Sequence, residues 1–407
     1  MNPLKKFEMI EATRLTREGR LTEATGLCLG RLGSSRFQAT APQSAPEYET
    51  ITLRLPPPAT GSDDGRKSTP ERSVDGHTDR RTTQITQPFG ALLDRMRQLP
   101  APGLEGLPGF FVRAPSPVPD GARFDERTYA NAAGSRTYKL FIPSGYVGQA
   151  VPLLVMLHGC KQSPDDFATG TRMNQLAEEQ TFLVAYPAQS TSANASKCWN
   201  WFKAHDQERG QGEPSLVAGI TREIMRDFKI ERARVSIAGL SAGGAAAAIM
   251  GAAYPDMFEA VGVHSGLACG AATDMPSAFA AMRAGGRPGL PRRSAARTIV
   301  FHGDRDLTVN SVNGDQVIAQ SNSTANLRIS VCQGESAGGA RYSRTVHTNA
   351  SGDEVLEQWV VHGLGHAWSG GSPDGSYTDT RGPDASREMV RFFFQKPRTS
   401  RAPRQQI

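Results

Sequence analysis

The pentapeptide Gly239-Leu240-Ser241-Ala242-Gly243 lies directly after the strand-like run Ala233 to Ala238 and before an Ala-rich stretch that reaches Ala253. The pattern reads strand, sharp turn, helix. A turn that tight crowds the backbone on either side of the serine, so small residues must flank it, and it lifts the hydroxyl above the end of a sheet with a helix N-terminus beneath. Ser241 is therefore the candidate nucleophile. A serine hydroxyl is a poor nucleophile at neutral pH unless an imidazole takes its proton and a carboxylate holds that imidazole in the right tautomer. The pentapeptide thus calls for a histidine, an acid and oxyanion donors elsewhere in the chain.

The remaining sequence offers all of them. Arg297 to His302 reads as a buried strand and runs into Gly303-Asp304-Arg305-Asp306, a polar turn in which either aspartate could orient an imidazole. Asp306 is favoured, because the residue just past Gly303 is still closing the turn. Val355 to Val361 is another strand-like run, followed by a glycine-rich loop, His362 to Gly371, with two histidines. His366 is favoured over His362, which still adjoins the strand. Backbone N–H donors for a developing oxyanion are expected from Ala242, at the start of the helix, and from Cys160, where the apolar run Leu153 to Leu157 stops at His158-Gly159. Ser241, Asp306 and His366 then occur in the chain order of an α/β-hydrolase. The competing nucleophile is a cysteine, but neither Cys160 nor Cys198 has the strand-turn-helix setting of Ser241.

From about Arg136 to Phe394 the chain resembles the catalytic domain of the poly(3-hydroxybutyrate) depolymerase family of esterases. The resemblance is carried by Leu157-His158-Gly159-Cys160-Lys161-Gln162, Cys198-Trp199-Asn200-Trp201-Phe202, Gly239 to Gly244, His264-Ser265-Gly266-Leu267 and Gly365 to Gly371. It implies an α/β-hydrolase fold, with Ser241 as nucleophile, Asp306 as acid and His366 as base. It also implies hydrolysis of polyhydroxyalkanoate esters through an acyl-enzyme, while related enzymes act on feruloyl or acetyl esters of plant polysaccharides. No cofactor or metal is called for. Trp199, Trp201 and Trp368, with Phe202, are expected to flank the reactive ester, where flat aromatic surface would bury the apolar parts of a polyester chain.

Strands are predicted near 137–143, 153–158, 182–186, 233–238, 260–264, 297–302, 326–331 and 355–361, and helices near 168–180, 215–228, 242–253, 311–322 and 384–394. Their alternation predicts a mostly parallel twisted sheet with helices on both faces and ligands at the carboxyl ends of the strands. One catalytic domain over 120–395 accounts for most of the 407 residues. Before it, Gly33 to Gln84 holds mostly Pro, Ser, Thr, Arg and Asp, which bury too little apolar surface to offset chain entropy. The expectation is a disordered linker over 33–119, with a short helix near 88–98.

Residues 1–32 carry apolar positions at near-helical spacing, from Phe7 to Leu32, and predict short amphipathic helices that need a partner surface. A polymer granule is one such partner, and a non-catalytic granule-binding protein is the reading of another class. The net charge is +6, yet the basic excess sits largely in a flexible tail over 396–407, and no basic helix with interleaved aromatics points to nucleic acid. No apolar run near the N-terminus is long enough for a signal sequence or a membrane span, so a cytoplasmic location is expected. The five cysteines lack Cys-x-x-Cys spacing, which supports neither a disulfide scaffold nor a zinc site. Cys160 and Cys198 sit in loops that could meet near the site, but in a reducing cytosol thiols are expected.

Overall fold

The computed structural model describes residues 117–286, 296–321 and 326–395, together with the backbone of a short strand at 49–51. The expected helices over 1–32 and near 88–98 and the tail over 396–407 lie outside the described residues. Contacts divide the chain into Met1–Glu47 and Tyr48–Ile407, and the second unit holds all the structure below.

Its strands are β1 (Glu49–Ile51), β2 (Arg123–Asn131), β3 (Gly134–Ile142), β4 (Val151–Leu157), β5 (Leu183–Pro187), β6 (Ile230–Leu240), β7 (Ala260–His264), β8 (Arg297–Gly303), β9 (Arg328–Glu335), β10 (Arg341–Thr348) and β11 (Glu354–Val361). They form one 11-stranded sheet in the order β1-β9-β10-β11-β8-β7-β6-β4-β5-β3-β2. The central run β5-β4-β6-β7-β8-β11 is parallel, and the hairpins β2-β3 and β9-β10 extend it with antiparallel pairs at either side. The helices are α1 (Pro164–Thr171), α2 (Met173–Gln180), α3 (Gly212–Asp227), α4 (Ala242–Ala253), α5 (Met275–Ala284), α6 (Val312–Ser321) and α7 (Ala385–Phe394).

Strand composition explains this layering. All residues of β4, β5 and β7 are buried, as expected where helices cover both faces of a parallel sheet. Side chains alternate between faces along β4: Leu153, Val155 and Leu157 join one core with α3 and α4, while Leu154 and Met156 join the other with α1, α2 and α7. Gly262 on β7 lets α7 approach closely, since a Cβ there would stand 2.8 Å from the Phe393 ring and 2.9 Å from the Met389 sulfur.

Several expectations need correction. The single helix near 168–180 is two, α1 and α2, broken where Arg172 adopts a left-handed conformation at φ 54°. β2 escapes a search for apolar runs because its side chains largely alternate between exposed and partly buried, and β10 because its mostly partly buried residues are largely polar. The helix α5 was not expected at all, although its Asp274 cap accepts from the Ser277 N–H at 2.8 Å and Pro276 sits in its first turn. Residues 49–51, assigned by composition to the disordered linker, pair antiparallel with β9 as an edge strand.

Candidate active site

Each candidate residue stands just past the carboxyl end of a central parallel strand. Ser241 follows β6 with φ 58° and ψ −120°, a conformation that L-residues rarely adopt. The surroundings enforce it. The Ser241 N–H donates to the His264 carbonyl at 2.9 Å. A Cβ at Gly243 would lie 2.0 Å from the Leu157 carbonyl oxygen, and one at Gly239 would lie 2.3 Å from the Gly243 oxygen. The pentapeptide glycines are therefore steric requirements of a turn that passes against the end of β4.

His366 and Asp306 come together across the loops after β11 and β8. His366 Nδ1 donates to Asp306 Oδ2 at 2.7 Å. The other carboxylate oxygen of Asp306 accepts from the N–H groups of Thr308 and Val309 at 2.9 and 2.8 Å, and His302 Nε2 stands 3.5 Å from Oδ2. Burial pushes the Asp306 pKa up, but the hydrogen bonds and charges of His302 and His366 outweigh it and hold the carboxyl well below the usual range. Asp306 thus stays ionised and fixed in aim.

The other candidates, Asp304 and His362, also form a pair, with His362 Nδ1 donating to Asp304 Oδ2 at 2.9 Å. They lead away from Ser241. His362 Nε2 accepts from Ser343 Oγ at 2.9 Å, and the pair borders a polar depression with Arg305, Arg341 and Arg381. Ser241 and His366, in contrast, line one apolar cavity with Cys160, Ala242, Trp201, Phe202 and Phe279. No hydrogen bond joins the Ser241 hydroxyl to the imidazole here; contacts between nucleophile and base often tighten only in the substrate complex.

The loop after β4 is held from several sides. His158 Nδ1 donates to the Gly159 carbonyl at 2.7 Å, while Nε2 accepts from the Gln189 N–H at 3.1 Å. Burial lowers the His158 pKa to about 4, so the ring is neutral and keeps this tautomer. Gln162 accepts from the Gly159 N–H at 2.9 Å and donates to Asp166 at 3.0 Å. The Trp199 indole donates to the His158 carbonyl at 3.1 Å, and the buried carboxylate of Glu213 accepts from both the backbone and the side chain of Asn200 at 2.7 Å. Among the described residues the Cys160 N–H has no acceptor within the protein, and Ala242 is the first residue of α4, where intrahelical partners are missing. Two backbone donors are thus free beside Ser241.

Cys160 and Cys198 are joined by a disulfide across a sequence separation of 38. This corrects the expectation of free thiols, and removes both from consideration as nucleophiles while the bond persists. The tryptophans divide. Trp201 lines the cavity. Trp199 and Trp368 are 0% and 1% exposed and belong to the framework: the Trp368 indole donates to Ser386 Oγ at 3.0 Å and stacks on His264 at 4.9 Å. His264, kept neutral by burial, accepts from the Ser369 N–H at 2.9 Å, tying the base-bearing loop to the end of β7. The sequence reading overlooked the wall formed by Met275, Ala278, Phe279 and Met282. Their spacing of three, one and three places them along one face of α5, a helical signal present in the sequence.

The elbow at the end of a central strand, an acid and a histidine after later strands, and two free amides define the α/β-hydrolase class of site. Residues 136–343 match the family model described as Esterase PHB depolymerase, and the chain belongs to that family. It is 30% identical over 243 residues to poly(3-hydroxyalkanoate) depolymerase C of Paucimonas lemoignei, covering 55% of this chain and 56% of that one. It is 31% identical over 129 residues to feruloyl esterase B of Neurospora crassa, covering 30% of this chain and 43% of that protein. These matches span about half the length of those relatives. Among solved structures, an acetyl xylan esterase from Aspergillus awamori aligns with a TM-score of 0.48 at 19% identity, over 57% of this chain and 89% of that one.

Proposed function

We propose that the protein is a serine esterase that cleaves aliphatic polyesters or their oligomers through an acyl-enzyme. The observation that carries this reading is the placement of Ser241, on a strained elbow, and of the Asp306-held His366 along one apolar cavity that Cys160 and Ala242 also line. His366 takes the proton of Ser241 Oγ as the oxygen attacks the ester carbonyl, and the amides of Cys160 and Ala242 receive the charge on the carbonyl oxygen. The protonated imidazole then gives its proton to the departing alkoxide. Water, activated by the same imidazole, releases the acyl group and restores the serine.

The depolymerase named among the relatives supports a polyester substrate, and so does the cavity. Among the described residues its lining is mostly aliphatic and aromatic, with no carboxylate or asparagine of the kind that would grip a sugar. A feruloyl ester is the second reading, favoured by the aromatic surface of Trp201, Phe202 and Phe279. Turnover of para-nitrophenyl butyrate, amorphous poly(3-hydroxybutyrate) and ethyl ferulate, each with Ser241→Ala as control, tests both. Failure to hydrolyse any ester would reject the proposal.

Granule attachment through residues 1–32 and a cytoplasmic location remain parts of this proposal. Deleting 1–110 should abolish co-sedimentation with native granules while sparing hydrolysis of a soluble ester. A cytoplasmic enzyme must also remain active with the Cys160–Cys198 bond reduced, because such bonds rarely persist in that compartment.

A further inference from the structure

Among the described residues that line the cavity, Lys161, beside Cys160, is the one lysine, arginine, aspartate or glutamate. Lys161 stands exposed at the rim, in the left-handed conformation at φ 66°, and its N–H donates to the Ser196 carbonyl at 2.8 Å. That bond sets it beside a second basic residue, Lys197, whose charge is felt by the buried His158. Among the described residues no carboxylate pairs with Lys161, and none lines the cavity. An ammonium on the rim of an otherwise apolar, carboxylate-free site favours a ligand that is apolar along most of its length and anionic at one end.

We propose that Lys161 binds the terminal carboxylate of a hydroxyalkanoate oligomer and directs cleavage to the ester nearest that end. This deepens the esterase reading and rests on it. In such a chain the carboxylate lies on the alcohol side of every ester. The acyl carbon bonds to Ser241 Oγ as the carbon–oxygen bond to the terminal unit breaks. That oxygen takes the proton held by His366, and the unit leaves as a hydroxycarboxylate. One water then hydrolyses the acyl-enzyme, leaving a shortened oligomer with a new carboxylate end for the next cycle.

The test compares kcat/KM for a soluble 3-hydroxybutyrate trimer as free acid and as methyl ester. The full-length protein should prefer the free acid by about tenfold at low ionic strength. The preference should vanish in Lys161→Gln, survive in Lys161→Arg, and shrink with added salt. Because it is a ratio, a general loss of activity in a variant cancels from it. With the trimer labelled at its hydroxyl end, product analysis should show labelled dimer before labelled monomer. Equal rates on acid and ester in the unmodified protein, or a ratio untouched by Lys161→Gln, would overturn the proposal while leaving the esterase reading intact. Loss of that reading would appear separately, as no Ser241-dependent turnover of either trimer.

Discussion

Two histidine–aspartate pairs leave the ends of β8 and β11, and their hydrogen bonds are nearly the same length, 2.7 Å for His366–Asp306 and 2.9 Å for His362–Asp304. What surrounds them differs. The Asp306 carboxylate is fully buried, accepts two backbone amides and has a second histidine beside it, whereas the Asp304 side chain is 36% exposed. Each imidazole has a serine in its neighbourhood, and there the contrast is sharper. Ser241 sits on an elbow before a helix whose first amides are free. Ser343 lies in the middle of β10, paired with Val360 on one side and Gln333 on the other, so its backbone belongs to the sheet ladder. A Ser–His–Asp chain of hydrogen bonds is therefore not in itself a catalytic signature. Chemistry needs the nucleophile lifted out of regular structure, a dry cavity, and amides without partners.

The largest effects should fall on one pair alone. Ser241→Ala is expected to lower kcat for para-nitrophenyl butyrate by about a millionfold, and Asp306→Asn by about ten thousandfold, because the asparagine leaves the imidazole in the wrong tautomer. Asp304→Asn, assayed beside them, should stay within about threefold of the unmodified enzyme. A profile in which Asp304→Asn is the inactive variant would reverse the assignment of the acid.

This contrast marks the limit of what the sequence conveyed. The elbow was legible because its physics is local: glycines, a preceding strand and a following helix are all within a dozen residues. The sheet was legible because strands buried on both faces are continuous apolar runs, as in β4. The choice between Asp304 and Asp306 was open to argument from the residues alone, since both precede a loop and only packing buries one. The tryptophans were harder still. Trp199, Trp201 and Trp368 occupy similar glycine-flanked or polar loops, and composition does not tell a ring that faces the ligand from one that braces the loop behind it. Nor did it disclose the wall supplied by α5, which needed a helical period to be recognised in a stretch rich in alanine.

The disulfide sharpens the comparison from another side, since it lies with the first pair only. The Cys160–Cys198 bond ties the oxyanion loop to the segment that carries Trp199 and Trp201. Closing a loop of that size stabilises a fold by about 3–4 kcal/mol in the chain-entropy account. Cys198→Ser, or reduction by dithiothreitol, should lower the melting temperature by roughly 10 °C and reduce kcat more than it raises KM, because the proposed mechanism needs the amide of Cys160 most in the transition state. Unchanged kcat on reduction would show that the loop is held well enough by His158, Gln162 and Trp199.

Acid should also act on the cavity side first. His158 and His264 are both kept neutral by burial, with pKa values below the ordinary 6.5 and, for His158, at about 4. A histidine with a depressed folded pKa contributes stability that is fully present above the unfolded value and is lost as pH falls toward the folded one. Between pH 6.5 and 4 the His158 contribution amounts to about 3 kcal/mol. Denaturation midpoints should therefore fall steadily across that window, and the fall should be shallower in His158→Gln. Asp306, whose pKa is lowered instead, stays charged in the folded state throughout the window, and its own contribution is lost mainly as pH falls past the ordinary carboxylate value near the bottom of it. A flat profile from pH 6.5 to 4 would contradict the neutral, buried assignment of both rings.

The smallest expected effect belongs to the outer pair. Asp304 accepts from the Gly363 N–H at 2.7 Å as well as from His362, so it closes the turn that begins the loop carrying His366. Exposed pairs of this kind are worth about 1 kcal/mol or less. Asp304→Asn should thus lower the melting temperature by only about 2–4 °C, with the loss confined to stability. Asp304→Asn retains an oxygen that can accept from Gly363, while Asp304→Ala does not, and the second should be the less stable of the two. If instead both variants lowered kcat by the same large factor while melting normally, the outer pair would be acting on His366 through the loop between them, and the separation of the two pairs into a reacting site and a bracing turn would fail.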